Sequence, residues 1–270
     1  MTTKRALVRR PGPRLAEGIV TNIERRVVDY ELGLKQWGAY VEALASAGWE
    51  TVEVPPADEC PDAVFIEDTM LVYKNLAVIA RPGADSRKHE IPGAEAAVAG
   101  LGLSINRIRP PGTFDGGDAL KIGDNIYVGR GGRTNAAGVR QLRDILTPLG
   151  ATVIGVPVSK VLHLKSAVTA LGDGTIIGYR PLVDDCSIFP SFRAVPEESG
   201  AHVVVLDAHR ILLAADCPES AKMFDALGYE PITVDISEFQ KLEGGVTCLS
   251  VRLREQLGEP VGPELQATLA

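Results

Sequence analysis

Aromatic side chains are scarce in this chain: six Phe, six Tyr and two Trp make up 5% of 270 residues. Stacking platforms for nucleic acid need several rings on one surface, and so few argue against them. Cationic excess is missing too, since 28 Lys and Arg face 35 Asp and Glu, for a net charge of -7. Binding to a phosphate backbone is driven by clustered cations, so no nucleic-acid partner is expected. A small cationic molecule suits this surface better. No apolar run is long enough to span a membrane, and the opening Met-Thr-Thr-Lys-Arg-Ala-Leu-Val leads into Arg9-Arg10-Pro11 without a signal-peptide h-region. No membrane association is expected, and the cytoplasm is the expected location. Cysteine is sparse and widely spaced at Cys60, Cys186, Cys217 and Cys248, with no CxxC pair. Reduced thiols follow, three of them packing residues.

What is present is a globular composition, 45% hydrophobic and 23% charged, punctuated by 28 Gly and 18 Pro. One phrase recurs: a helix-period run ends at Gly, and a short apolar strand follows. Its copies end their helices at Gly48, Gly102, Gly150 and Gly228 and continue into strands over 51–55, 103–108, 152–157 and 231–235. Each Gly is the expected left-handed residue that stops a helix. Hairpins with Asn, Asp or Gly at the turn are expected over 70–79, 119–128, 168–178 and 202–214.

The unit is strand, turn, strand, helix, strand, with one helix eroded around Pro181 to Pro196. The N-terminal strand over 6–9 and the C-terminal strand over 249–253 complete a split copy between them, giving five units of ββαβ type. Termini that share a unit argue for a closed array. The alternative is an ordinary mixed α/β sheet. One α/β catalytic domain over 1–254 is expected, with a tail over 255–270 in which Pro260, Gly262 and Pro263 oppose a packed helix.

In such a ring, equivalent loops ahead of each hairpin should carry the chemistry. They hold Asp62, Glu67 and Asp68; Asp115; His163 and Ser166; and Cys248, preceded by Gly244-Gly245. Glu17-Gly18-Ile19 is the weakest fifth segment. A thiol, an imidazole and a carboxylate that holds the ring are the parts of nucleophilic catalysis. Taken alone, His163 reads as a buried core histidine; its shared repeat phase with Cys248 favours a proton-transfer role. The acids at 62–68 read either as a hydrated loop or as partners for a guanidinium, whose planar N–H fork matches carboxylates. Arg87 and Arg133 precede helices in adjacent units, where an α-carboxylate could bind.

The motifs Phe65-Ile66-Glu67-Asp68, Arg81-Pro82-Gly83-Ala84-Asp85-Ser86-Arg87, Asp115-Gly116-Gly117-Asp118, Arg133-Thr134-Asn135, Leu162-His163-Leu164-Lys165-Ser166 and Gly244-Gly245-Val246-Thr247-Cys248 occur in this order. In this the chain resembles the dimethylarginine dimethylaminohydrolases of the guanidine-modifying (pentein) superfamily. The resemblance implies a five-bladed α/β propeller that hydrolyses Nω,Nω-dimethylarginine and Nω-monomethylarginine to citrulline plus dimethylamine or methylamine. It implies no metal or cofactor, and a covalent thiouronium on Cys248, with His163 as acid and base and Asp115 as its partner. It also implies that Glu67 and Asp68 contact the guanidinium, Asp62 the α-amino group, and Arg87 and Arg133 the α-carboxylate. Ile19 and Leu242 would offer backbone contacts, with Ser166 and Glu243 beside them. Homodimers are common among such enzymes, so one is possible here. An arginine deiminase releasing ammonia, or a noncatalytic binding protein of the same fold, is the alternative; the deiminases carry an inserted helical domain for which this chain has no room.

Overall fold

The computed structural model describes residues 4–253, so the expected tail over 255–270 lies outside the described residues. Strand β1 (Arg5–Val8) leads through a long loop to helix α1 (Tyr30–Ser46) and strand β2 (Glu50–Glu53). A hairpin of β3 (Met70–Tyr73) and β4 (Leu76–Ile79) is followed by α2 (Ile91–Gly100) and β5 (Ser104–Arg107). The hairpin of β6 (Ala119–Ile122) and β7 (Asn125–Arg130) is followed by α3 (Ala136–Leu146) and β8 (Thr152–Pro157). After the one-turn helix α4 (Leu164–Ala167), strands β9 (Val168–Ala170) and β10 (Ile176–Gly178) reach β11 (Phe192–Ala194) through two short 3-10 turns. Then come β12 (Val204–Val205), β13 (Arg210–Ala214), α5 (Pro218–Ala226), β14 (Glu230–Val234), the short α6 (Ser237–Gln240) and β15 (Val251–Leu253).

These strands form five three-stranded sheets, each with an antiparallel hairpin and a third strand parallel to the hairpin's second. The fifth sheet joins the two ends of the chain: β15 pairs antiparallel with β1, Ala6 opposite Arg252, and β1 pairs parallel with β2. The expected closed ring of ββαβ units is the observed architecture. Its helices stop where the glycines say they should, with φ of 85° at Gly48, 81° at Gly102, 95° at Gly150 and 88° at Gly228. That region is cheap only for a residue without a Cβ. The helix expected to be eroded is replaced by the 3-10 turns Arg180–Leu182 and Cys186–Ile188. Pro181 and Pro190 there withhold two N–H donors from any longer helix.

Helices start earlier than the apolar periodicity alone suggests, because their first turns are set by caps. Asp29 accepts the Leu32 N–H, and Asn135 accepts the Gly138 N–H. Such caps supply partners that the first turn lacks, worth about 1 kcal/mol each. Between neighbouring units the apolar faces merge into clusters; the largest packs Tyr40 and Leu44 of α1 against Val8, Leu212, Phe239 and Leu249. The buried Tyr40 hydroxyl lies 2.7 Å from Ser250 Oγ and so links the outer helix to the strand after Cys248. Around the axis, β3, β6, β9, β12 and β15 enclose a cavity of about 140 Å³.

Candidate active site

Closing the ring brings the loops ahead of the first strands to one end of the axis. Cys248, His163, Asp68, Asp62, Arg87, Arg133, Ile19, Leu242 and Glu243 line one pocket, with Phe65, Leu162 and Gly244. Asp115, Glu67 and Ser166 lie just outside that lining. Asp115 is fully buried behind His163, whose Nε2 is 3.1 Å from Asp115 Oδ2. Glu67 faces the axial cavity, where one of its oxygens, Oε1, takes both Lys165 Nζ at 2.7 Å and Arg252 Nη2 at 3.2 Å. Its other oxygen is buried without a hydrogen bond. Ser166 faces a neighbouring cavity of about 510 Å³.

Glycine makes this density of charge possible. A Cβ on Gly117 would stand 2.5 Å from Asp68 Oδ1 and 2.8 Å from His163 Nδ1, and one on Gly116 would be 2.1 Å from the Glu67 carbonyl oxygen. The Gly117 N–H instead donates to Asp68 at 2.9 Å, and the Gly83 N–H donates to Asp115 at 2.8 Å. Asp118, the second acid of the same motif, is also buried. It accepts from Thr134 Oγ1 at 2.6 Å and from the Leu164 N–H at 3.0 Å, which fixes the turn that begins at His163.

The electrostatics follow from burial and partners. Burial would lower the His163 imidazole, but Asp68, the hydrogen bond to Asp115, and Asp118 outweigh it and raise the group to about 9. Burial would likewise raise Asp68; His163 and Arg87 instead hold it well below the usual carboxylate range. The resting pair at neutral pH is therefore imidazolium and carboxylate. Burial raises Asp118 to about 6 despite the nearby imidazole. Burial of its sulfur, and then the Glu67 and Asp68 charges, push the Cys248 thiol up, against the Gly245 N–H at 3.5 Å. A cation placed between sulfur and carboxylates would reverse that repulsion.

The two arginines divide. Arg87 is held by Asp68 at 2.5 Å, by both Glu90 oxygens and by the Asp62 and Phe65 carbonyls. Arg133 reaches only to 3.6 Å from Asp115, and its Nη1 is buried without a hydrogen bond. Asp62 accepts from the Ile19 N–H at 2.9 Å, and burial raises its carboxyl. The Glu243 carboxylate accepts from the Thr21 N–H at 2.5 Å, from the Asn22 N–H at 3.0 Å and from Asn22 Nδ2 at 2.9 Å. Glu243 itself sits at φ 61°, a strained conformation for a residue with a Cβ. With these contacts the pocket keeps a free volume of about 20 Å³, room for about one water.

A curated relative from Streptomyces coelicolor, N(G),N(G)-dimethylarginine dimethylaminohydrolase, is 66% identical over 255 residues, covering 94% of this chain and 99% of that one. The chain belongs to the dimethylarginine dimethylaminohydrolase family. A family member from Pseudomonas aeruginosa is 35% identical over 92% of this chain and 99% of its own length. The solved structure of the Pseudomonas aeruginosa enzyme, a cysteine-to-serine variant complexed with citrulline, superimposes with a TM-score of 0.87 at 34% identity, covering 94% of this chain and all of that one. The N-terminal domain of ArgZ, an arginine dihydrolase, shares the fold at a TM-score of 0.84 and 20% identity, over 94% of this chain and 99% of that one. No family model matches the chain. The fold is thus the five-bladed α/β propeller of this family.

One expectation is corrected by the ring. Glu17-Gly18-Ile19 lies between β1 and α1, the position that in other units holds Arg87 and Arg133, and is not the fifth loop ahead of a hairpin. That phase belongs to the loop before β12 and carries His202. The sequence signal was Gly200-Ala201-His202 directly ahead of an apolar pair of strand residues. Asp118, Lys165 and Arg252 also escaped notice as site residues. Two of them stood inside quoted motifs, and Arg252 is a lone cation in an apolar strand.

Proposed function

We propose that this chain hydrolyses Nω,Nω-dimethylarginine, and the monomethyl form, to citrulline and dimethylamine or methylamine. The observation that carries the reading is a thiol, an imidazole and buried carboxylates converging on one pocket, in a chain 66% identical to a dimethylarginine dimethylaminohydrolase. The lining sets Asp62, Asp68 and Glu243 around the same pocket as the sulfur, which suits a guanidinium. Arg133, with a donor left over, suits the α-carboxylate, and Asp62 with the Ile19 backbone suits the α-amino end. Arg87 acts there chiefly by holding Asp68.

Binding of the cationic guanidinium in the pocket beside Asp68 offsets the carboxylate repulsion that keeps Cys248 protonated, and the thiol proton passes to solvent. The thiolate then adds to the guanidinium carbon. His163, already an imidazolium, donates its proton to the methylated nitrogen, the C–N bond breaks and the neutral amine departs. This leaves an S-alkylthiouronium on Cys248 and a neutral His163. The imidazole takes a proton from water, the hydroxide oxygen adds to the same carbon, and collapse expels the sulfur, which takes up the adduct's hydroxyl proton to restore the Cys248 thiol as citrulline forms. The net change is the substrate cation plus water to citrulline plus the amine, which leaves with the proton released to solvent as the alkylammonium ion.

The test is an assay of the purified protein with dimethylarginine and with arginine, measuring citrulline, dimethylamine and ammonia. Dimethylamine equal to citrulline, and no turnover by Cys248→Ser, is the expected outcome. Faster citrulline from arginine with ammonia would replace this reading by a deiminase, and full activity of Cys248→Ser would remove the thiol from the mechanism.

A further inference from the structure

Four of the five loops ahead of the first strands deliver a chemistry-bearing side chain to the site: Asp68 before β3, Asp118 before β6, His163 before β9 and Cys248 before β15. The fifth delivers His202, immediately before Val203 and β12. No step above uses it. Its ring is half-buried and touches both catalytic segments at once. Nε2 lies 2.8 Å from the carbonyl oxygen of Ser166, in the α4 turn whose first residue follows His163. The Ser166 N–H in turn donates to the His163 carbonyl at 3.0 Å, so the Ser166 carbonyl moves with the imidazole-bearing turn.

The other edge of the ring presses on the nucleophile loop. A Cβ on Gly245 would stand 2.0 Å from His202 Nδ1, 2.7 Å from Cγ and 2.9 Å from Cε1, and those are its three nearest neighbours. Gly245 supplies the N–H that points at Cys248 Sγ at 3.5 Å, and its carbonyl accepts the Cys248 N–H at 3.1 Å. The loop therefore rests on the Nδ1 edge of the imidazole at the residue that orients the sulfur.

We infer that His202 is a positioning residue for this reaction, a spacer that fixes the Cys248 loop against the His163 turn through Gly245 on one side and Ser166 on the other. The inference rests on the hydrolase reading for its kinetic consequence, while its geometric content concerns the thiol alone. The ring meets Gly245 on one side and carries a donor to the Ser166 carbonyl at its far end. His202→Ala removes the donor and the packed edge together. His202→Gln restores a donor at nearly the same reach, since the glutamine Nε2 lies about where the imidazole Nε2 does.

Loss of placement on the ångström scale costs on the order of tenfold to a hundredfold in turnover. His202→Ala is expected to lower kcat by about tenfold or more with KM within about twofold, and His202→Gln to recover to within about threefold of the parent. A merely structural role would not move the sulfur, so the second readout is the pH midpoint for alkylation of Cys248 by iodoacetamide, followed by mass on its peptide. That midpoint should rise in His202→Ala, which loosens the Gly245 N–H from the sulfur, and return in His202→Gln. A double-mutant cycle completes the test: Gly245→Ala should lose about a hundredfold, and Gly245→Ala with His202→Ala should regain about tenfold of it, because the clashing ring is gone. Unchanged kcat and alkylation midpoint in folded His202→Ala, or strict additivity in the cycle, would overturn the proposal. If the parent protein did not turn over dimethylarginine, the functional reading would fail, and the alkylation arm would still decide the spacer.

Discussion

Asp68 is the hinge of the site's electrostatics, and Asp68→Asn isolates it with little change of shape. The carboxylate lies 3.7 Å from His163 Nδ1 and 2.5 Å from Arg87 Nη1. Among the groups that raise the imidazole from 6.5 to about 9 it ranks first, ahead of Asp115 and Asp118. The full elevation corresponds to about 3 kcal/mol at 1.36 kcal/mol per pH unit. For a base raised on folding, that stabilisation is complete below pH 6.5 and disappears as the pH climbs through about 9. Neutralising Asp68 should bring the His163 midpoint down by more than about one pH unit, while Asp115 and Asp118 keep part of the elevation. At pH 8 the imidazolium fraction then falls from about nine-tenths to about a half or less, and the alkaline limb of kcat shifts down with it. The chain has only four histidines, so carbon-labelled imidazole NMR resolves the titration directly, with His163→Asn for assignment. Arg87 retains both Glu90 oxygens, so the variant should fold. A His163 midpoint in folded Asp68→Asn within half a unit of the parent value would refute the claim that this carboxylate holds the proton on the imidazole.

Gly117→Ala should retain the fold by circular dichroism yet lose on the order of a hundredfold in kcat, because a Cβ there would push on both Asp68 and His163. Glu67→Gln leaves Lys165 and Arg252 without their shared carboxylate; urea titration should find a loss of about 3 kcal/mol or more, and a change under 1 kcal/mol would contradict the pairing. Glu243→Ala releases the Thr21 and Asn22 amides, so hydrogen exchange over residues 18–26 should accelerate by about tenfold, which is about 1.4 kcal/mol of opening free energy. Unaltered exchange there would mean that this carboxylate does not hold the segment closed.

The repeat was legible in the chain because helix stops and hairpin turns are local matters. Gly48, Gly102, Gly150 and Gly228 adopt the left-handed backbone that only glycine takes cheaply, and this depends on their own φ rather than on any distant contact. The acids, the thiol and the imidazole could be named for the same reason: side-chain chemistry is carried by residue type. Even the eroded unit announced itself, through prolines that cannot donate within a helix.

Tertiary structure decided what each of these groups is worth. Arg87 and Arg133 read alike as sequence, and only packing shows that Glu90, Asp68 and two carbonyls occupy the first while the second keeps an unused donor. Glu243 reads as a neighbour of the nucleophile, yet its carboxylate is taken up by backbone amides more than 200 residues away in sequence. His202 and Glu17-Gly18-Ile19 exchanged places for a similar reason, since repeat phase near the N-terminus depends on whether β1 is the first or the second strand of its blade. Its pairing with β15 settles that. Composition and turn chemistry act through neighbours in the chain and so can be read from it. Hydrogen-bond saturation, desolvation and the Coulomb energy between Asp68 and His163 depend on distances across the closed ring, and those exist only once it has closed.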